Sequence, residues 1–201
     1  METTDQFSFF TAGRLSGEGS RKNIHGVIQC FRKAFPEDQF SCEDVVLKIK
    51  LHPEDMQAHT SDPRLIITQT FCPERSLSDY MASCHAYVNA SAGEGWGLML
   101  TQMMALGRPV ITPFEGGVSA FVNVNNAFRV HSNWVPAESD YYAGEWLAVD
   151  ESSLIQQMRY AYEHRDEVWQ RGLNAARTAA GYSWTSSNLA LWSDVLRDYI
   201  K

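Results

Sequence analysis

Up to Thr112 the apolar positions come in short, nearly unbroken runs that alternate with stretches of helical spacing. Residues 7–12 are an aromatic-rich run ending at Gly13, which suits a buried strand and its turn. Ile24, Val27, Ile28, Phe31, Ala34 and Phe35 then recur at helical spacing, with Ser20 placed to cap that helix and Pro36 to close it. Further strands are predicted at 45–51, 65–68, 86–90 and 109–112. Between them lie helices at 77–82 and 98–106, the second ending at Gly107, and a short helical turn near 54–58. Strands apolar on both faces, alternating with helices, indicate an α/β domain whose parallel sheet is covered on both sides.

In such sheets ligands sit beyond the carboxyl ends of the strands. The turns that matter are then 13–20, 70–73, 91–97 and 112–117. After Gly117 the pattern loosens. Residues 123–126 read as a turn, 131–149 as an irregular loop, and 150–180 and 184–199 as appended helices, with no internal repeat. The core is expected over 7–130, with all 201 residues serving one domain.

Seventeen Lys and Arg against twenty-four Asp and Glu leave a formal charge of −7, which disfavours bulk nucleic-acid binding but not a local anion site. No apolar run is long enough to span a bilayer, so membrane contact is at most peripheral. Four cysteines without a C-x-x-C pair read as free thiols. The polar N-terminus has neither the basic nor the apolar part of a secretory signal, so a cytoplasmic protein is expected.

Two clusters can carry chemistry. Gly13-Arg14 ends the first strand and Arg21-Lys22-Asn23 opens the first helix, so cations converge on a helix N-terminus that already favours anions. The spacing matches neither a Walker loop nor a dinucleotide fingerprint, and solvated surface charge is the competing reading. The second cluster is Ser91-Ala92-Gly93-Glu94-Gly95-Trp96-Gly97-Leu98, with Gln102 downstream. Its glycines admit close approach of a ligand, the amides of Gly97 and Leu98 suit an anion, and Glu94 can accept from hydroxyls. A tight turn whose glutamate caps the helix is the competing reading. His52 and His59 have no companions for a metal site, and neither a G-x-S-x-G elbow nor an Asp-x-Asp motif occurs. Trp134, Tyr141, Tyr142 and Trp146 can stack on a sugar or base, or fill a satellite core.

Taken in this order and separation, the clusters resemble the C-terminal, donor-binding half of a GT-B glycosyltransferase of family 4, from residue 7 to about 196. The carriers are "TAGRLS…RKNIHGVIQCFRKAF", "EGWGLMLTQMMALGRPVI", "PFEGGVSAFVNVNNAFRV" and "YSWTSSNLALW", of which the E-G-W-G-L block and its helix are the most specific. The resemblance implies a Rossmann-like sheet, one half of a GT-B fold. It implies transfer of a sugar from a nucleotide-diphosphate-sugar to an acceptor hydroxyl, with retention and with neither metal nor cofactor. Arg14 and Lys22 would meet the diphosphate, Glu94 the donor sugar, and the amides from Trp96 to Leu98 the phosphates. Gly13 and Gly95 would give close approach, and Thr70, Phe71 and Cys72 would lie beside the base. Arg14, Lys22 and Glu94 form the expected catalytic set.

The chain departs from that family in three ways. Gln102 stands where a second glutamate holds the ribose, which loses a charge-assisted pair of hydrogen bonds. Residues 17–20 look inserted. The acceptor-binding N-terminal domain is missing, so an excised domain, or a chain with a partner that supplies it, is expected. The alternative function is a non-catalytic nucleotide or nucleotide-sugar binding module.

Overall fold

The computed structural model describes residues 6–15, 21–55, 58–137, 143–183, 188–190, 193 and 197. Six strands make one parallel sheet: β1 (Phe7–Gly13), β2 (Val45–Leu51), β3 (Leu65–Thr68), β4 (Ala86–Val88), β5 (Val110–Pro113) and β6 (Ala127–Val130), in the order β3-β2-β1-β4-β5-β6. The order reverses between β1 and β4, so the loops leaving those two strands diverge and open a crevice at their carboxyl ends. This is the expected Rossmann-like α/β sheet.

The period-two alternation of β1 divides the core. Phe7 and Phe9 join one apolar cluster with Leu47, Ile49 and Phe128, covered by α1 (Ile24–Ala34) and α4 (Glu151–Glu163). Phe10 points the other way, to Tyr87, Met103 and Met104, under α2 (Glu74–Ala82), α3 (Leu98–Ala105) and α5 (Arg165–Ala180). Gly107 follows α3 at φ 71°, and its N–H and that of Arg108 turn back to the carbonyls of Met104 and Met103, at 2.9 and 3.0 Å. A Cβ on Gly172 of α5 would overlap the Gly107 carbonyl, which is why α5 has a glycine there.

Several elements differ from the sequence expectation. Asn23, not Ser20, caps α1: it sits at φ 50°, and its side chain accepts from Gly26 N–H at 3.2 Å. Ser20 itself lies outside the described residues. Helix α2 begins three residues earlier than its apolar spacing suggests, and β6 occupies 127–130, a stretch to which the sequence pattern assigns no element. The segment 131–149 is not irregular throughout: β7 (Ser132–Pro136) and β8 (Glu145–Val149) pair as an antiparallel hairpin. Residues 54–55 form part of a turn, and 56–57 lie outside the described residues, as does most of the last expected helix. The four cysteines are free. No described helix is long and apolar enough to cross a membrane.

Candidate functional site

The crevice is built from three segments: the end of β1, the residues that enter α1, and the glycine-rich turn between β4 and α3. Asn23 makes a left-handed turn immediately before α1, a conformation that its short amide tolerates better than most side chains. That turn lays Lys22 against the end of β1, where a Cβ on Gly13 would stand 2.7 Å from the Lys22 Cβ. Lys22 Nζ donates to Glu94 Oε1. The Glu94 side chain is 9% exposed and that of Lys22 is 24%, so the pair is partly withdrawn from water. A charge-assisted bond in such a setting is about twice as strong as a neutral one.

Arg21 fastens the same turn. Its guanidinium donates to the Gly93 carbonyl and to Ser91 Oγ at 3.2 Å, and lies 3.7 Å from Glu94 Oε2. The Arg21 carbonyl accepts from Ala92 N–H at 2.7 Å and from Ser91 Oγ at 3.2 Å. On the far side the Ala92 carbonyl accepts from Leu147 N–H at 2.7 Å, so the hairpin strand β8 braces the turn as well. The Glu94 carbonyl accepts from Gly117 N–H at 3.1 Å, and a Cβ on Gly117 would overlap the Gly95 carbonyl. The glycine turn is thus clamped from both neighbouring loops.

Gly97 caps α3 at φ 82°, and among the described residues no side chain is bonded to the first-turn amides. A helix N-terminus open in this way carries about half a positive charge. Trp96 turns away from the crevice and packs on Phe121 and Tyr182, at centroid distances of 5.1 and 5.0 Å. Leu98 is exposed. Gln102 is exposed too, and with Trp96, Leu98 and Tyr182 it lines a mostly apolar cavity of about 730 Å³ along α3. A small cleft beneath Glu94 is lined by Asn89, Ser91, Thr112 and Glu115. Glu115 is held by Arg129 at 2.9 Å and Ser132 Oγ at 3.0 Å.

Lys22, Glu94, Gly13, Gly95 and Gly97 therefore come together. Arg14, next to Gly13, pairs with the loop after β2: its Nε donates to Asp55 Oδ1 at 3.3 Å, and its Nη2 lies 3.7 Å from Glu54 Oε2. Thr70 and Phe71 lie in the loop after β3, with Phe71 86% exposed, and among the described residues no hydrogen bond joins them to Lys22 or Glu94. Trp134 is exposed on the hairpin, and Tyr141 and Tyr142 lie outside the described residues. Sequence reasoning treated Arg21 as one of several helix-entry cations and missed its bonds to Ser91 and Gly93. Those partners lie 70 and 72 positions away, beyond the reach of local spacing. Among the described residues, no three His, Cys, Asp or Glu side chains gather as a metal-holding group.

The profile described as glycosyl transferases group 1 matches residues 6–140. Comparison with curated protein sequences returned no match. Among solved structures, sucrose-phosphate synthase from Thermosynechococcus elongatus is similar at TM-score 0.69 and 16% identity, over 98% of this chain and 46% of that one. HepE from Anabaena, in complex with UDP and glucose, is similar at TM-score 0.62 and 16% identity, over 88% of this chain and 44% of its own. The C-terminal domain of the glycosyl transferase group 1 protein LpcC from Francisella tularensis is similar at TM-score 0.60 and 16% identity, over 89% and 87%. The chain thus spans less than half the length of the first two and most of the LpcC domain.

Proposed function

This chain belongs to the glycosyl transferases group 1 family, and on that footing we propose that it is the donor-binding half of a glycosyltransferase. It moves a sugar from a nucleotide-diphosphate-sugar to an acceptor hydroxyl, with retention of configuration. The observation that carries this reading is the Lys22–Glu94 pair at the point where the strand order reverses, beside the open N-terminus of α3. HepE, with the same fold, was solved with UDP and glucose, which supports a nucleotide-sugar as the ligand.

The reaction breaks the bond between the sugar's anomeric carbon and the β-phosphate oxygen, and negative charge grows on the departing diphosphate. Lys22 and the first amides of α3 stabilise that charge, in a site already organised before the ligand arrives. This electrostatic role calls for neither a metal nor a cofactor. Glu94 loses its share of Lys22 as the phosphates take it, and its freed carboxylate accepts from hydroxyls of the donor sugar. The acceptor is held by a second domain, in this polypeptide or in a partner, that closes the crevice and excludes water. Four free thiols fit a reducing, cytoplasmic setting.

A second reading, nucleotide-sugar binding without transfer, is favoured by one observation: an exposed amide, Gln102, stands at the position where the family resemblance places a ribose-holding glutamate. A thermal-shift panel of ADP, GDP, UDP and their sugar conjugates tests the shared premise. At 100 times its dissociation constant a ligand adds about 2.7 kcal/mol of stability. A panel without any shift rejects both readings. Sugar transfer by this chain joined to an acceptor domain decides between them.

A further inference from the structure

The hairpin carries an indole that the core does not use. In an antiparallel pair, residues directly opposite share a face, and so do residues two apart along one strand. Trp134 stands opposite Leu147, and Ser132 stands two positions before Trp134. All three therefore lie on one face of the hairpin. That face is turned to the crevice: Leu147 is buried in the wall of the small cleft that Glu94 and Glu115 also line, and Ser132 Oγ donates to Glu115 Oε2 at 3.0 Å. Leu147 fills that wall, whereas Trp134 is 52% exposed. Arg129 Nη2 donates to the other Glu115 oxygen at 2.9 Å, so the carboxylate is fixed from two sides and its charge is balanced. Arg129 is half-exposed, and a guanidinium and a carboxylate carry more donor and acceptor sites than these two bonds use.

We propose that Trp134, Glu115 and Arg129 form a carbohydrate subsite at the hairpin end of the crevice, where the indole stacks on a pyranose ring and the ion pair bonds the hydroxyls of that ring. The inference rests on the nucleotide-sugar reading above for its place along the crevice, and extends it. The strands run in the order β1, β4, β5, β6, so Glu94, Glu115 and the hairpin follow one another away from Lys22. A pyranose presents an apolar C–H face edged by hydroxyls. Its C–H hydrogens carry partial positive charge and meet the negative face of the indole, and the contact also withdraws apolar surface from water. The subsite is neutral overall, one cation against one anion, and so suits an uncharged saccharide rather than a further phosphate. The ring belongs either to the donor sugar or to an acceptor saccharide, and the test has an arm for each.

The test compares Trp134→Ala, Trp134→Phe and Glu115→Gln with the unsubstituted chain. The donor arm titrates ADP, GDP and UDP and their glucose and mannose conjugates by calorimetry, and its readout is the ratio of conjugate to bare diphosphate affinity. The acceptor arm follows methyl α-glucoside, methyl α-galactoside and methyl α-mannoside, with and without saturating diphosphate, by saturation-transfer NMR at the ring C–H protons. Trp134→Ala is expected to lower saccharide affinity about tenfold in one arm while changing diphosphate affinity less than about twofold. Trp134→Phe is expected to recover part of the loss, and Glu115→Gln to weaken the same arm. A loss in the donor arm assigns the ring to the donor sugar, and a loss in the acceptor arm assigns it to the acceptor. Saccharide affinity unchanged by Trp134→Ala in both arms, an equal loss of diphosphate affinity, or no saccharide contact with the unsubstituted chain overturns the inference and leaves the nucleotide-sugar reading standing. Absence of diphosphate and conjugate binding by the unsubstituted chain overturns that reading instead, and glycoside contact that depends on Trp134 would still uphold the subsite.

Discussion

Lys22 and Glu94, 72 positions apart in the chain, meet across the crevice because one enters α1 beside the end of β1 and the other lies in the turn after β4. The pair neutralises itself while no ligand is bound, and Arg21 supplies the charge left over. A double-mutant cycle of Lys22→Ala and Glu94→Gln, followed by chemical denaturation, is expected to give a coupling energy of about 1–2 kcal/mol. A coupling below about 0.3 kcal/mol would show that the two side chains do not hold each other in solution.

The turn before α1 makes a separate prediction. Asn23 combines a left-handed backbone with a side-chain cap. Asn23→Ala removes the cap and keeps an unfavourable φ, so a loss of about 1–2 kcal/mol is expected in urea denaturation. Asn23→Gly relieves the φ and is expected to cost only a few tenths. Gly26→Ala is expected to cost less than Asn23→Ala, because its Cβ would push the Asn23 amide out of its capping position while alanine's better helix propensity offsets that loss.

Two groups, one half-buried and one buried, give the fold a definite response to acid. Burial, reinforced by Arg108, Arg165 and Lys48, pushes the His85 imidazole down to about 4, and its Nδ1 accepts from Ser8 N–H at 3.0 Å. The unfolded histidine takes its proton near 6.5. The unfolded state therefore binds more protons between about pH 6.5 and 4, and stability should fall as pH falls through that window. Asp62 acts at lower pH. Burial alone would raise its carboxyl, but hydrogen bonds from Arg64 and Arg32 hold it at about 2, below an unfolded value near 3.9. Its contribution is complete above about pH 4 and is lost as pH falls towards 2. Denaturation midpoints from pH 8 to pH 3 should flatten in the upper window for His85→Gln. Asp62→Asn is expected to cost about 3 kcal/mol near neutral pH, because buried Arg64 keeps its charge and loses its buried carboxylate, leaving only the exposed Glu37 at 3.2 Å.

Gln102 offers a gain of function. If its side chain meets the ribose, Gln102→Glu adds one charged acceptor, worth about 1 kcal/mol or near fivefold in nucleoside-diphosphate affinity. Repulsion between the new carboxylate and the phosphates opposes this, and salt screens that repulsion. The gain should therefore grow as ionic strength rises, which titrations at low and high salt would reveal. Affinity unchanged at both would place the ribose elsewhere along α3.

The parallel sheet was legible because its first five strands are nearly unbroken apolar runs set off by turn residues, and β1 announces both faces in Phe9 and Phe10. The hairpin was not. Four of the five residues of β7 are polar, proline or exposed, and their mixed burial leaves no alternation to read. Strand β6 follows directly on an asparagine-rich turn and has only four residues, so its apolar signal is brief. In the site, glycine spacing pointed correctly to the turn at 93–97. The bonds by which Arg21 fastens that turn were not readable, because Ser91 and Gly93 lie 70 and 72 positions from it.

Leu15 and Arg21 are each fixed by a backbone group to a different neighbouring loop: Leu15 N–H to the Asp55 carboxylate, and the Arg21 carbonyl to Ala92 N–H. Lys22 follows directly on the second of these anchors, and its ion-pair partner Glu94 lies two residues beyond Ala92. A displacement of the glycine turn therefore carries the Lys22 backbone with it, so the two charges travel together and the crevice keeps its electrostatic pattern while its width changes.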